Sequence, residues 1–382
     1  MLVKKSYETG SIFFTFWLIS LFIPKYGILD FSLLVNFFIF LYSINKVKPI
    51  YSLVFFSVYW MFQSIFLYSL NSFNISLQTI FSKDFRLILM AFFLAFNFSF
   101  FLKFVNLDIL NSIFFNFLKF FILFLIGIYY LQILSPDFKE LSYSIVNFGN
   151  VYGNLDLLQL YSHGWRLPGI FQGYDIGSVW ISIFIVILYF FYNYKNSFLY
   201  ILIFIPFLLS SRTGTILIIL FSLIYFILEG KSKFQFLSLF IIISSFGYYL
   251  FNYLSPINPF LWLVHDLKQE FKFFSHLNFP IFGNYQDFYF NGSVSDNGYE
   301  HIFLSYGLIT LLFLFLFYSY YSFKFSIRFQ KKFVFFILIY VFISCFKAPF
   351  FISRGFFEFF LYFIILFPKI YEKNLHPNAS LQ

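Results

Sequence analysis

Apolar runs of about 14 to 24 residues recur from one end of the chain to the other, separated by short clusters of charge and turn residues. Reading between those clusters predicts twelve spans, at about 11–23, 31–43, 50–69, 84–102, 112–134, 169–193, 197–210, 213–228, 234–254, 299–322, 333–346 and 355–368. None of the runs alternates strictly between apolar and polar. A backbone in lipid must satisfy its own hydrogen bonds, so each run is predicted as a helix and not as a barrel strand. The expected fold class is therefore all-α: a polytopic integral membrane protein of about twelve (11–12) transmembrane helices, forming a single transmembrane domain over 1–382. The second, seventh and twelfth runs are short for a lipid layer of about 30 Å and are candidates for re-entrant segments. No internal repeat of the kind many secondary transporters carry is evident.

Composition agrees with that reading. Apolar residues make up 61% of the chain and charged residues 11%, too little surface chemistry for a water-soluble core of this size. The 72 phenylalanines reflect a biased choice among apolar residues and carry no functional signal. A single cysteine, Cys345, excludes an internal disulfide and a cysteine metal cluster, and it reads as a small core residue. The net charge of +9 does not indicate nucleic acid, because the basic residues lie in short loops between spans. They orient the chain instead. Both termini are expected in the cytoplasm, with Lys4, Lys5, Lys46, Lys48, Lys195, Lys231, Lys233, Lys324, Arg328, Lys331, Lys332, Lys369 and Lys373 on that side. The first run is expected to stay as an uncleaved anchor, since no small-residue cleavage site follows it. Lys119, inside the fifth run, is expected to snorkel inwards.

This orientation leaves two larger loops facing outwards, 135–168 and 255–298. In the second, Val264, Leu267, Phe271 and Phe274 share one helical face, predicting a helix on the outer membrane surface. Polar residues that go against the grain of the membrane gather at four places on the same side. In RLPGIFQGYDIGSVW, Pro168 suits the first turn of the sixth span, Arg166 stands just outside it, and Gly169, Gly173 and Gly177 form a ridge for close approach. Asp175 lies about two turns inside; an ionisable group there is either functional or the partner of a neighbouring Arg or Tyr. In SSRTGT, Ser211 or Thr213 can cap the eighth span, leaving Arg212 where the free N–H groups of a helix start already favour an anion. The planar guanidinium fork suits the paired oxygens of a phosphate or diphosphate; the alternative is a snorkelling arginine. In the third segment, 280–309, Asp296 and Asn297 head the tenth span, with Glu300 and His301 one turn inside. Asp296, Glu300 or His301 could act as a general base on a hydroxyl, or Asp296 could be a plain N-cap with Glu300 completing the box. In SRGFFEFF, Arg354 and Glu358 stand four apart and are predicted to form an intrahelical ion pair, with Arg354 a spare phosphate ligand.

Taken in order, these segments resemble the bacterial O-antigen polymerase and ligase superfamily of polytopic membrane glycosyltransferases. The resemblance covers roughly 160–310. It rests on Arg166 followed by Pro168 and Gly169, and on the helix start Ser211, Arg212, Thr213 and Gly214. It also rests on the Pro-x-x-Gly turn at Pro280 and Gly283, and on the helix start Asn297 and Tyr299 with Gly307 ten residues beyond the Asn. Ligases of this superfamily carry His immediately before that Asn; here the residue is Asp296, which resembles the polymerase branch.

What the resemblance implies is a GT-C-like fold in the bacterial cytoplasmic (inner) membrane. The implied reaction transfers a growing glycan from undecaprenyl diphosphate to a sugar hydroxyl on the next lipid-linked repeat unit, at the outer face. Arg166, Arg212, Asp296, Asp175, Glu300 and His301 are the candidate catalytic residues, the two arginines holding the diphosphate. Arg166, Arg212, Arg354, Gly169, Asn297 and Tyr299 are the candidate substrate-binding set. No metal or other cofactor is expected. The implied partners are an undecaprenyl-diphosphate-linked oligosaccharide and the lipid bilayer, with a chain-length regulator as a further candidate and no nucleic acid. An O-antigen ligase, a flippase for the same lipid-linked oligosaccharide and a small-molecule transporter are the alternatives. A flippase should line a central cavity with polar residues from both halves, and a transporter should place charge near mid-membrane.

Overall fold

The computed structural model describes residues 2–23, 30–70, 77–147, 169–171, 174–210, 212–229, 281–283, 298–326, 331–346 and 349–375. Among the described residues every regular element is a helix. The first six are α1 (Leu2–Ser20), α2 (Phe31–Ser43), α3 (Tyr51–Leu70), α4 (Leu77–Phe104), α5 (Leu107–Leu134) and α6 (Pro136–Asn147). Next come α7 (Tyr174–Val186, running on as a π-helical turn over Ile187–Phe191), α8 (Ser197–Ser210) and α9 (Arg212–Glu229). The last are α10 (Gly298–Ser326), α11 (Lys331–Ile337, extended by π and 3-10 turns to Phe346), α12 (Phe356–Ile365) and α13 (Phe367–Leu375). Four stretches are long and apolar enough to cross a membrane: Tyr51–Leu70, Asp84–Phe104, Leu107–Leu134 and His301–Lys324. Shorter apolar helices lie in the predicted spans 31–43, 169–193, 213–228, 333–346 and 355–368, and α1 and α8 overlap those at 11–23 and 197–210; the run 234–254 lies outside the described residues together with the predicted surface helix.

Neighbouring helices pack with a consistent polarity. The hydroxyl of Ser57 on α3 donates to the Ile88 carbonyl on α4 at 2.8 Å, and the Ile50 N–H donates to the Ala95 carbonyl at 2.9 Å, so α3 and α4 run antiparallel. Tyr59 meets Thr310 at 3.2 Å while Ser52 meets Tyr321, so the second part of α10 is antiparallel to α3 as well. On α7 and α9, Ser178 lies against Gly214 and Phe190 against Tyr225, which makes that pair parallel. One end of the bundle consequently gathers Lys46, Lys103, Lys324 and Lys332; Lys103 Nζ donates to the Lys46 carbonyl at 2.9 Å. Lys119 lies over the Phe115 ring, one turn towards that lysine end.

The phenylalanines become a lattice of rings in the interior, for instance Phe336 and Phe363 with centroids 4.1 Å apart and Trp180 and Phe356 at 4.2 Å. Lipid tails are as apolar as these side chains, so close ring packing and buried polar contacts carry the association of helices. Asn97 on α4 and Asn36 on α2 form such a contact at 2.9 Å. The helix α12 is buried on every face, which places it at the centre of the bundle, and it carries one carboxylate, Glu358.

Three predicted elements differ from the structure. The sixth span does not begin at Gly169: that residue has φ +64° in a turn at 169–171, and the helix starts at Tyr174. The three glycines therefore do not form one helical ridge. Part of the predicted loop 135–168 is helix, because Ser135 breaks α5 and accepts the Phe138 N–H at 3.2 Å while Pro136 needs no donor at the first position of α6. The tenth span is folded. Gly307 has φ 83° and ψ 172°, and across it Tyr299 stacks on Phe315 with centroids 5.5 Å apart. In a straight helix sixteen residues would separate them by about 24 Å, so the arm 298–306 doubles back along the arm 308–326.

Candidate functional site

The end of the bundle opposite the lysines holds three polar assemblies. The first is an ionic quartet. Arg86 on α4 donates through Nε to Asp30 Oδ2 at 2.6 Å and through Nη2 to Glu358 Oε1. Arg354 reaches the other oxygen of Asp30 at 3.2 Å and the Ile23 carbonyl at 2.7 Å. Ser32 donates to Asp30 at 2.8 Å, and the remaining oxygen of Glu358 accepts the Gly355 N–H at 2.8 Å, capping α12. Asp30 also caps α2 by accepting the Leu33 N–H. Burial alone would raise the Asp30 carboxyl, but the guanidiniums of Arg86 and Arg354 outweigh it and hold the group well below the usual carboxylate range. Two cations and two anions balance, and the quartet ties together the ends of α1, α2, α4 and α12 opposite the lysines. From Arg86 to Lys103 is seventeen residues of α4, about 26 Å at helical rise, so the quartet and the lysines are separated by close to the thickness of a lipid layer, about 30 Å.

The second assembly surrounds the break in α10. Gly283 (φ +88°) and Gly307 meet backbone to backbone: a Cβ on Gly307 would lie 2.4 Å from Gly283 N, and one on Gly283 would lie 2.7 Å from Gly307 N. Only glycine has room here and tolerates these dihedrals. The Ile309 N–H, freed by the break, donates to the Ile281 carbonyl at 3.3 Å. Gln63 on α3 donates to the Tyr306 carbonyl at 2.9 Å and to the Phe282 carbonyl at 3.4 Å. The Tyr306 hydroxyl donates to Asp84 Oδ1 at 2.7 Å, which also accepts the Trp60 indole N–H at 3.3 Å. Asp84 is two residues before Arg86 on α4, so the two assemblies are continuous along that helix.

The third assembly is the pair of helix starts on α7 and α9. Gly214 lies so close to α7 that a Cβ would be 2.2 Å from the Ser178 carbonyl oxygen, and its N–H donates to Ser178 Oγ at 3.2 Å. Beside it, Gln132 on α5 grips the turn before α7: Gly169 N–H donates to Gln132 Oε1 at 3.1 Å, and Gln132 Nε2 donates back to the Gly169 carbonyl at 2.9 Å. Gly169 packs on the Tyr129 ring, with no space for a side chain.

Of the predicted site residues, Arg212 opens α9 and Asp175 is the second residue of α7, so the parallel packing brings their backbones to the same end of the bundle. Gly169 is in the adjoining turn. Tyr299 stacks on Phe315 and donates its hydroxyl to the Phe342 carbonyl. Because α10 doubles back, the predicted position of Glu300 and His301 one turn below an outer helix start does not hold. Phe315 is nine residues, about 14 Å, from Lys324, so the head of α10 lies about halfway along the bundle, and half-buried His301 is the fourth residue of that arm. Arg166, Asp296 and Asn297 lie outside the described residues. The predicted pair of Arg354 with Glu358 is not formed. Gly355, at φ 81°, precedes α12, so Arg354 is outside the helix and four-residue spacing no longer brings the two side chains together. Arg354 pairs with Asp30 and Glu358 with Arg86.

Asp30, Asp84, Arg86, Gln63 and Tyr306 were absent from the predicted site. The signal was present in the sequence: Asp84 and Arg86 stand in the first turn of the predicted span 84–102, and a charge inside a span needs a partner. Among the described residues, no three His, Cys, Asp or Glu side chains gather as a metal site. The fold and these assemblies define an all-α protein whose apolar helices suit a membrane and whose buried charges gather at the end of the bundle opposite the lysines. No family model, curated protein or solved structure matches the chain.

Proposed function

We propose that the chain is a membrane glycosyltransferase that polymerises lipid-linked oligosaccharide units into a surface polysaccharide, an O-antigen or a capsule. In this reading it sits in the bacterial inner membrane with both termini cytoplasmic, about twelve GT-C-like spans and its working end outwards. The observation that supports it best is the contact of Gly283 with Gly307: two glycines singled out by the resemblance, in separate segments, meet where neither admits a side chain. The parallel starts of α7 and α9, carrying Asp175 and Arg212, agree with it.

The acceptor hydroxyl attacks the anomeric carbon of the donor glycan. The bond from that carbon to the diphosphate oxygen breaks, polyprenyl diphosphate leaves, and the hydroxyl proton passes to a base. Arg166 and Arg212 hold the diphosphate and meet the charge that develops on it. Asp296 is the assigned base, with Asp175, Glu300 and His301 as the remaining candidates. Deleting the gene and examining surface glycan together with its lipid-linked intermediates tests this reading. Single repeat units on the final acceptor are the expected result; wild-type chain lengths would exclude it, and long glycan left on the carrier lipid would indicate a ligase.

One observation favours a second reading, a flippase for the same lipid-linked oligosaccharide. The ionic quartet and Asp84 draw buried charge from both halves of the chain. The quartet's cations are matched by carboxylates, which suits a fixed tie better than a substrate path. Repeat units trapped on the cytoplasmic side in the deletion strain would select the flippase.

A further inference from the structure

We infer that Gln63, Trp60 and Asp84 form a clamp on Tyr306 that sets the position of the doubled-back arm of α10, making Tyr306 and Asp84 positioning residues for the acceptor side of the transfer. The last clause rests on the proposed function; the clamp itself does not.

Tyr306 is the residue immediately before the break, where a helix loses the hydrogen bonds that would fix its direction. Its carbonyl accepts from Gln63 at 2.9 Å and, across the break, from the Thr310 hydroxyl at 2.9 Å. Its hydroxyl donates to Asp84 at 2.7 Å, and its ring lies 5.0 Å from the Trp60 indole. The contacts with Gln63, Asp84 and Trp60 come from α3 and α4, at separate points on one residue. A single contact leaves the arm free to pivot about Gly307; three restrict that pivot. Asp84 is 1% exposed and Tyr306 2%, so water does not compete for these bonds. From this anchor the arm runs to Tyr299, Glu300 and His301, and the clamp sets its direction together with the contacts of Tyr299 on Phe315 and the Phe342 carbonyl. A small rotation there moves the far end, eight residues away, by more than it moves the anchor. Misplacing a reacting group by about 1 Å costs on the order of a hundredfold in rate.

The arm's position can be read without any enzyme activity. In a Cys345→Ser background, cysteines replacing Tyr299 and Phe342, which touch in the structure, are joined with a short bismaleimide in full-length protein held in lipid nanodiscs. Tyr306→Phe, which removes only the hydroxyl, and Asp84→Leu are expected to lower the cross-linking yield. Asp84→Asn keeps an acceptor oxygen and should retain it. In parallel, kcat is measured without the added cysteines, using a polyprenyl-diphosphate-linked repeat unit as substrate. Tyr306→Phe and Asp84→Leu should each lower kcat by about 10–100-fold and, combined, by no more than the larger single effect. Asp84→Asn should restore most of the rate. Wild-type cross-linking and wild-type kcat in Tyr306→Phe would overturn the clamp. Altered cross-linking with no transfer by the wild type would keep the clamp and reject the transferase reading.

Discussion

Replacing Arg86 with Leu tests whether the ionic quartet holds together the end of the bundle opposite the lysines. The substitution withdraws a guanidinium from between two carboxylates whose side chains are 5% and 0% exposed. Asp30 keeps Arg354 at 3.2 Å, but Glu358 loses its ion-pair partner inside a helix buried on all faces. Removing one member of a buried pair costs about 3–5 kcal/mol, because the charge left behind stays desolvated. Spread over the unfolding entropy of 382 residues at about 2.1 cal/mol/K each, that loss lowers the thermal midpoint by about 4–6 °C. Arg86→Lys should fall between the two, since a point charge cannot serve two carboxylates through a planar fork. The informative variant is Arg86→Leu combined with Glu358→Leu. Exchanging a buried pair for apolar residues of similar volume is close to neutral, so the double variant should regain most of the loss despite carrying one more mutation. The assay is thermal unfolding in detergent, followed by tryptophan fluorescence and by monodispersity after heating. An Arg86→Leu midpoint within 1 °C of wild type, or a double variant no more stable than the single, would refute the argument.

Four further outcomes follow from the same geometry. Asp30 has a lowered folded-state pKa, so its stabilising contribution is complete above the unfolded value of about 3.9 and is lost as pH falls below it towards the folded one. The midpoint gap between wild type and Asp30→Asn should therefore be full at neutral pH and shrink below about pH 4; a gap independent of pH would contradict this. Gly307→Ala places a Cβ 2.4 Å from backbone atoms at a dihedral only glycine favours, and should destabilise by about 1–3 kcal/mol in thermal unfolding. Gly127→Ala, whose Cβ meets nothing within 4 Å, should be neutral or stabilising by about 0.5–1 kcal/mol, and is the control for glycine loss as such. Arg212→Lys should fold like wild type and lose glycan elongation, because a point charge does not replace a fork on a diphosphate; full chain lengths in the strain carrying it would remove Arg212 from that role.

Helix positions were legible in the apolar runs, since length and hydropathy suffice to place them: α2, α3 and α8 lie within a residue of the predicted bounds. Direction was not. The run 299–322 passes through Gly307 without a cluster of charge or turn residues, and a hydropathy pattern carries no mark of a chain that doubles back. The mark is the glycine itself, and the turn at 281–283 that closes on it comes from elsewhere in the sequence. Gly169 was misplaced for a related reason. Proline at 168 suits a helix start, but the turn is held from outside by Gln132 and Tyr129, which local sequence does not report. The quartet was hidden because its members are far apart along the chain. Arg354 and Glu358 offered a plausible partner four residues apart, and only the positive φ of Gly355 sends each of them to another helix. The glycine positions at Gly214, Gly283 and Gly307 were visible as motif residues, whereas Gln63 and Asp84, which complete the arrangement from the N-terminal half, carried no motif.

The central claim is that this chain joins lipid-linked glycan units at the outer end of its bundle. Its most direct test is the purified full-length protein in lipid vesicles, supplied with a polyprenyl-diphosphate-linked repeat unit on the side facing that end. The account predicts a ladder of lipid-linked products at whole multiples of the repeat, with one polyprenyl diphosphate released for each bond formed. Substrate that remains monomeric, or that crosses the vesicle wall without any release of polyprenyl diphosphate, would contradict it.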